Sequence, residues 1–112
     1  MLKVTLTETS QKLSLRLEGH AGYAETGKDI VCASASILAT ALAEEVKAYR
    51  QIYAFRADPI IRLDSGDAEI TCYPSAYGPQ IRYAYNFARR GFELLAYSYP
   101  CHVSFKTDVK DE

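Results

Sequence analysis

The sequence has no surplus of basic charge: 13 Lys and Arg stand against 14 Asp and Glu, a formal net charge of -1, with a sequence pI near 6.1. Without a cationic excess the chain lacks the usual means of neutralising a phosphate backbone, which argues against direct nucleic-acid binding. It also lacks any apolar run near the roughly 20 residues that cross a bilayer. Met1 to Ser10 alternate apolar and polar residues instead of forming a secretory signal. Both absences argue against a membrane partner and make the cytoplasm the expected location. Cysteine is sparse, and Cys32, Cys72 and Cys101 are odd in number, so at least one thiol stays free, while a reducing compartment would disfavour even one bridge. No CxxC or HxxxH spacing joins the cysteines to His20 or His102, so neither a metal nor another cofactor is expected. With 112 residues, 48% of them hydrophobic, the chain fits a single domain, 1–112, around one core.

What the sequence does have is periodicity. Leu2, Val4 and Leu6 alternate with Lys3, Thr5 and Thr7, and Leu13, Leu15 and Leu17 alternate with Ser14, Arg16 and Glu18, the period of strands with one buried face. The short polar stretch Glu8 to Lys12 closes them into a hairpin. Gly19 to Lys28 has no period and carries three glycines, which makes it a loop, expected to be mobile for want of apolar anchors. Asp29 reads as the N-cap of a long helix. Its buried stripe is expected to hold Ile30, Ile37, Leu38, Ala41, Leu42, Val46, Tyr49 and Tyr53, and its end to fall at Asp58-Pro59. Ile61 and Leu63, then Ala68, Ile70 and Cys72, flank the turn Asp64-Ser65-Gly66-Asp67 as a second hairpin, and Tyr73 to Gly78 reads as a loop. Pro79 opens a second helix with Ile81, Ala84, Tyr85, Ala88, Phe92 and Leu95 on one stripe, and Pro100 closes it. Cys101, Val103 and Phe105 are expected on one face of a last strand, with His102 on the other, towards solvent or an interface. Asp108 to Glu112 reads as a frayed tail. The pattern predicts an α+β fold of order ββαββαβ, two helices packed on a mostly antiparallel sheet.

Two side chains with chemistry stand at the ends of the glycine loop. With Asp29 as N-cap, Cys32 is the third helical residue, where unsatisfied amides and the positive end of the helix dipole favour a thiolate. His20, at the exit of the second strand, can approach it, accept its proton and return that proton to a leaving amine. The amides that start the helix would then hold the oxyanion. On spacing alone, a structural cysteine and a loop histidine are the commoner explanation of such a pair. Ser36 lies one turn beyond Cys32, where its hydroxyl reaches either substrate or the Cys32 carbonyl. Cys72 reads as a small core residue, and Cys101 and His102 point to opposite faces, a poor dyad. The tyrosines of the second half, Tyr73, Tyr77, Tyr83, Tyr85, Tyr97 and Tyr99, suit a dimer interface or a peptide groove, although packing on the sheet accounts for most of them.

The longer string Gly19-His20-Ala21-Gly22-Tyr23-Ala24-Glu25, followed by Gly27-Lys28-Asp29-Ile30-Val31-Cys32-Ala33 and then Ser36, resembles the signature of the ribosomal-processing cysteine protease family Prp. Gly91-Phe92 through Tyr99-Pro100 looks like that family's final helix and its exit, whereas Cys101 and His102 depart from the residue types usual there. The resemblance implies a cytoplasmic bacterial endopeptidase, usually a homodimer, that removes a short N-terminal extension from the twenty-seventh protein of the large ribosomal subunit, cutting next to aromatic residues. It implies His20 as general base, Cys32 as nucleophile and a glycine loop that shifts when the protein tail binds. Gly19, Gly22, Asp29 and Ser36, grouped around the pair, are the candidates for holding substrate. The alternatives are a non-catalytic module that binds a protein tail and a divergent copy with another protein substrate.

Overall fold

The computed structural model describes residues 1–75 and 79–110. Along the chain run β1 (Leu2–Glu8), β2 (Leu13–Glu18), α1 (Ile30–Ile52), β3 (Phe55–Asp64), β4 (Asp67–Pro74), α2 (Pro79–Ser98) and β5 (Val103–Val109), the expected order in an α+β fold. The strands form one sheet in the order β3-β4-β2-β1-β5. β1 pairs antiparallel with β2, β2 with β4 and β4 with β3, and β5 closes the far edge parallel to β1. The alternation read in the sequence does what the pleat requires. Val4 stands opposite Leu17 and Leu6 opposite Leu15, while Leu15 stands opposite Ile70 and Leu13 opposite Cys72. This apolar face merges with Val46, Tyr85, Phe92 and the other inward residues of α1 and α2 into one buried cluster. Among the described residues no helix is long and apolar enough to cross a membrane.

Several boundaries fall elsewhere than expected. α1 stops at Ile52, where Tyr53 takes an extended conformation and donates its N–H to the Tyr49 carbonyl, and the chain turns directly into β3. Asp58-Pro59 therefore lies inside a strand. The strand tolerates it because β3 is an edge of the sheet and its pairing with β4 is irregular between Ala57 and Ile60, where a missing N–H removes nothing from the ladder. β4 continues through Pro74, so Tyr73 and Pro74 belong to it, and positions 76–78 of the expected loop lie outside the described residues. β5 runs to Val109, and Lys110 still donates its N–H to Glu8 at 2.9 Å; only positions 111–112 of the expected tail lie outside the described residues. Cys101 sits exposed in the turn before β5 and not on the strand.

The buried face of α1 is also rotated from the expected one. Val31, Ala35, Ala39, Leu42, Ala43, Val46 and Tyr49 point inward, whereas Ile30, Ala41 and Tyr53 are exposed and Ile37 keeps 66% of its surface in water. Three of the seven inward residues are alanines, Ala35, Ala39 and Ala43. At Gly91 of α2 a Cβ would lie 2.7 Å from the Leu38 side chain of α1, so glycine there lets the helices meet.

Candidate active site

Asp29 organises the start of α1. Its extended backbone leaves Oδ1 to accept from the amides of Val31 at 3.0 Å and Cys32 at 2.9 Å, as an N-cap does. Oδ2 accepts from Tyr23 at 2.9 Å and Ala24 at 3.3 Å, so one carboxylate joins the loop to the helix. Donation by the Cys32 amide first, with those of Ala24, Tyr23 and Val31 after it, holds the carboxyl below its ordinary value. The Val31 and Cys32 amides, two of the opening amides expected to hold an oxyanion, are thereby bonded to Asp29.

Cys32 is half-buried, and Ala21 N–H donates to its Sγ at 3.4 Å. Ala21 itself is buried, and its carbonyl oxygen lies 3.0 Å from His102 Nδ1. Tyr23 packs edge-on to Tyr99 at 5.3 Å and to His102 at 5.4 Å. The loop expected to lack anchors is thus held by one buried alanine, two rings and a carboxylate. His102, expected to face solvent or an interface, is half-buried against this loop.

His20 follows β2, with its ring against the turn between β3 and β4. A Cβ on Gly66 would lie 2.8 Å from His20 Nε2, and Gly66 has φ of +74°, so turn geometry and space both call for glycine there. The Gly19 N–H donates to the Gly66 carbonyl at 2.9 Å, tying the loop to the same turn. His20 and Cys32 line one cavity of about 510 Å³, bounded by the loop, the first turns of α1 and the β3–β4 turn. No hydrogen bond joins the two side chains among the described residues. Gly19, Gly22, Asp29 and Ser36 line the cavity as well. Ser36 is exposed to it, while the hydroxyl that bonds back into the helix is that of Ser34, to the Ile30 carbonyl at 2.7 Å.

The other thiols are placed differently. Cys72 is fully buried, and desolvation pushes its thiol up to about 11. Cys101 is exposed, and neither it nor Cys72 lines the cavity. Among the described residues no three His, Cys, Asp or Glu side chains converge as a metal site would require. Gly66 and His102 are the residues at this site that sequence reasoning missed. Gly66 was legible only as a turn glycine, and nothing in the spacing of His102 links it to Ala21, 81 positions away.

The family model of the cysteine protease Prp matches residues 1–104. The chain belongs to the Prp family of cysteine proteases. Solved structures with a similar fold cover almost all of it. An essential ribosomal processing protease Prp from S. aureus, in complex with a covalently linked product peptide, superposes with a TM-score of 0.73 at 20% identity, over 98% of this chain and 100% of that one. The same protease with a substrate peptide gives 0.71 at 20% identity, over 96% and 100%. SMU.848 from Streptococcus mutans gives 0.67 at 24% identity, over 98% and 96%. No curated protein matches the sequence.

Proposed function

We propose that this chain is a cytoplasmic cysteine endopeptidase that removes the N-terminal extension of the twenty-seventh protein of the large ribosomal subunit, with Cys32 as nucleophile and His20 as proton carrier. One observation carries the assignment: of the three thiols, only Cys32 lines the cavity that His20 also lines, and a backbone amide points at its sulfur. An N–H directed at sulfur favours the charged thiolate over the thiol. In the first step His20 takes the thiol proton of Cys32 as Sγ attacks the scissile carbonyl; the tetrahedral adduct collapses to a thioester, and the leaving amine takes that proton from His20. Water, giving a proton to His20, then attacks the thioester and releases the acid and the free thiol. The His20 ring rests on Gly66 and not on Sγ, so the pair tightens when substrate fills the cavity, a common difference between empty and occupied active sites.

Leu2, Leu17 and Leu63 give the cavity an apolar wall, suited to a large apolar side chain beside the cut bond. The peptides held by the S. aureus protease support a peptide substrate here. A homodimer is supported by the outer face of α2, where Tyr83, Phe87, Leu94 and Tyr97 are all exposed. Their spacing puts them on one stripe along the helix, a self-complementary face on which two copies can pair antiparallel across a two-fold axis. Three aromatic side chains and a leucine remove roughly 500 Å² per copy, which reaches the ~1,000 Å² expected of a specific interface.

The test is incubation of the protein with a synthetic peptide spanning the extension and mature start of the organism's own ribosomal protein, with products identified by mass. A single cut at the mature start supports the proposal. Binding without cutting favours the non-catalytic module instead.

A further inference from the structure

His102 is the imidazole that the proposed reaction does not use. Its main chain is tied on both sides, N–H to the Tyr99 carbonyl at 3.0 Å and carbonyl to the Leu2 N–H at 2.9 Å, and its ring stands edge-on to Tyr23 with an interplanar angle of 78°. From this fixed platform Nδ1 reaches the Ala21 carbonyl oxygen at 3.0 Å. A carbonyl oxygen only accepts, so Nδ1 carries the proton. The N–H of the same alanine donates to Cys32 Sγ. The two groups belong to consecutive peptide planes joined at the Ala21 Cα, so fixing the carbonyl restricts the rotation that would carry the N–H off the sulfur. The methyl group of Ala21, buried in the core cluster, leaves little other freedom.

The geometry points to His102 as a positioning residue for the nucleophile: by holding the Ala21 carbonyl it keeps the Ala21 N–H on Cys32 Sγ, where that donor favours the thiolate. The inference rests on Cys32 being the nucleophile, and it adds a residue from the far end of the chain to that site. The titratable groups facing this end of α1 are His20, Tyr23 and Asp29 from the loop and helix start, and Asp64 and Asp67 from the β3–β4 turn. All are kept in the variants below, and the imidazole is lost equally from both, so a difference between the two variants reads the lost donor.

The experiment compares His102→Asn, which places an amide N–H near the position of Nδ1, with His102→Leu, which is close to asparagine in size and has no donor. The rate of Cys32 alkylation by iodoacetamide is followed against pH by peptide mapping, which separates Cys32 from the exposed Cys101, and kcat and KM are measured on the tail peptide. In His102→Leu the alkylation of Cys32 near neutral pH slows about three- to tenfold, and kcat falls by a similar factor with KM less affected. His102→Asn keeps the wild-type profile. An unchanged profile in folded His102→Leu overturns the inference, as does an equal shift in His102→Asn. If near-ultraviolet circular dichroism shows that His102→Leu does not fold, His102→Phe, which keeps a ring against Tyr23, takes its place under the same criteria. A wild type that fails to cut the peptide while the alkylation profile still moves with the donor would sink the protease reading and leave the positioning role standing.

Discussion

The His20 imidazole fills the space that a side chain at position 66 would need, since a Cβ there would lie 2.8 Å from Nε2 and 3.2 Å from Cε1. A histidine that ends β2 is thus seated by the turn between β3 and β4, and Gly66→Ala is the smallest change that unseats it. The left-handed conformation at this position costs a residue with a Cβ about 1–2 kcal/mol, and the added methyl displaces the ring. We expect a melting temperature several degrees lower and cleavage of the tail peptide at least about tenfold slower, with Cys32 still alkylated at high pH. Parallel thermal melts and cleavage rates check this.

The three thiols should react in an order that exposure alone does not give. Near neutral pH Cys32 is alkylated ahead of the more exposed Cys101, because an amide points at its sulfur, and Cys72 reacts only on unfolding. Peptide mapping after timed alkylation reads the order.

Burial at Cys72 also has an alkaline consequence. Its thiol stands at about 11 in the folded protein against an ordinary 9.0, so the folded state favours the proton. The corresponding stability is complete below about 9.0 and is lost as pH rises through about 11. Cys72→Ala, at a cost on the order of 1 kcal/mol for the small cavity, lacks this component, and the gap between the two proteins narrows across that window in urea titrations.

Asp29 gives the opposite sign. Its carboxyl is held below 3.8 by four backbone amides, so its contribution is complete above 3.8 and disappears as pH falls through the lower folded value. Asp29→Ala should be clearly less stable than wild type at neutral pH, and the difference should shrink in acid below that point. Denaturation midpoints at several pH values measure it.

The outer stripe of α2 should disappear as an interface when charged. Phe87→Glu, or Tyr97→Glu, is expected to convert a dimer to a monomer without loss of the fold, because both side chains point into water in a single copy. Light scattering after size-exclusion chromatography gives the masses.

Where sequence and structure part, the cause is distance along the chain. Asp29 as N-cap, Cys32 as third helical residue and the Ser65-Gly66 turn were all legible, because each depends on neighbours a few residues away. Hydropathy favours Ile30 and Ile37 over Ala35 and Ala39 for the stripe of α1, while the folded helix turns the alanines inward. Pro59 reads as a helix stop by local rules, yet it sits in β3 because that strand is an edge. The Ala21 amide on Cys32, the His102 contact to Ala21 and the seat of His20 on Gly66 arise from folding distant segments together, and no spacing in the sequence encodes them.

The central claim is that Cys32 is the nucleophile of a peptide-cutting enzyme. The most direct measurement is the rate at which wild type, Cys32→Ala, His20→Ala and the double variant cut the ribosomal tail peptide, with products followed by mass spectrometry on proteins shown to be folded. We expect loss of cutting in Cys32→Ala, loss of most activity in His20→Ala, and a double variant no worse than Cys32→Ala alone, because the thiolate and its base act as one unit. Cutting by Cys32→Ala at the wild-type rate would contradict the account.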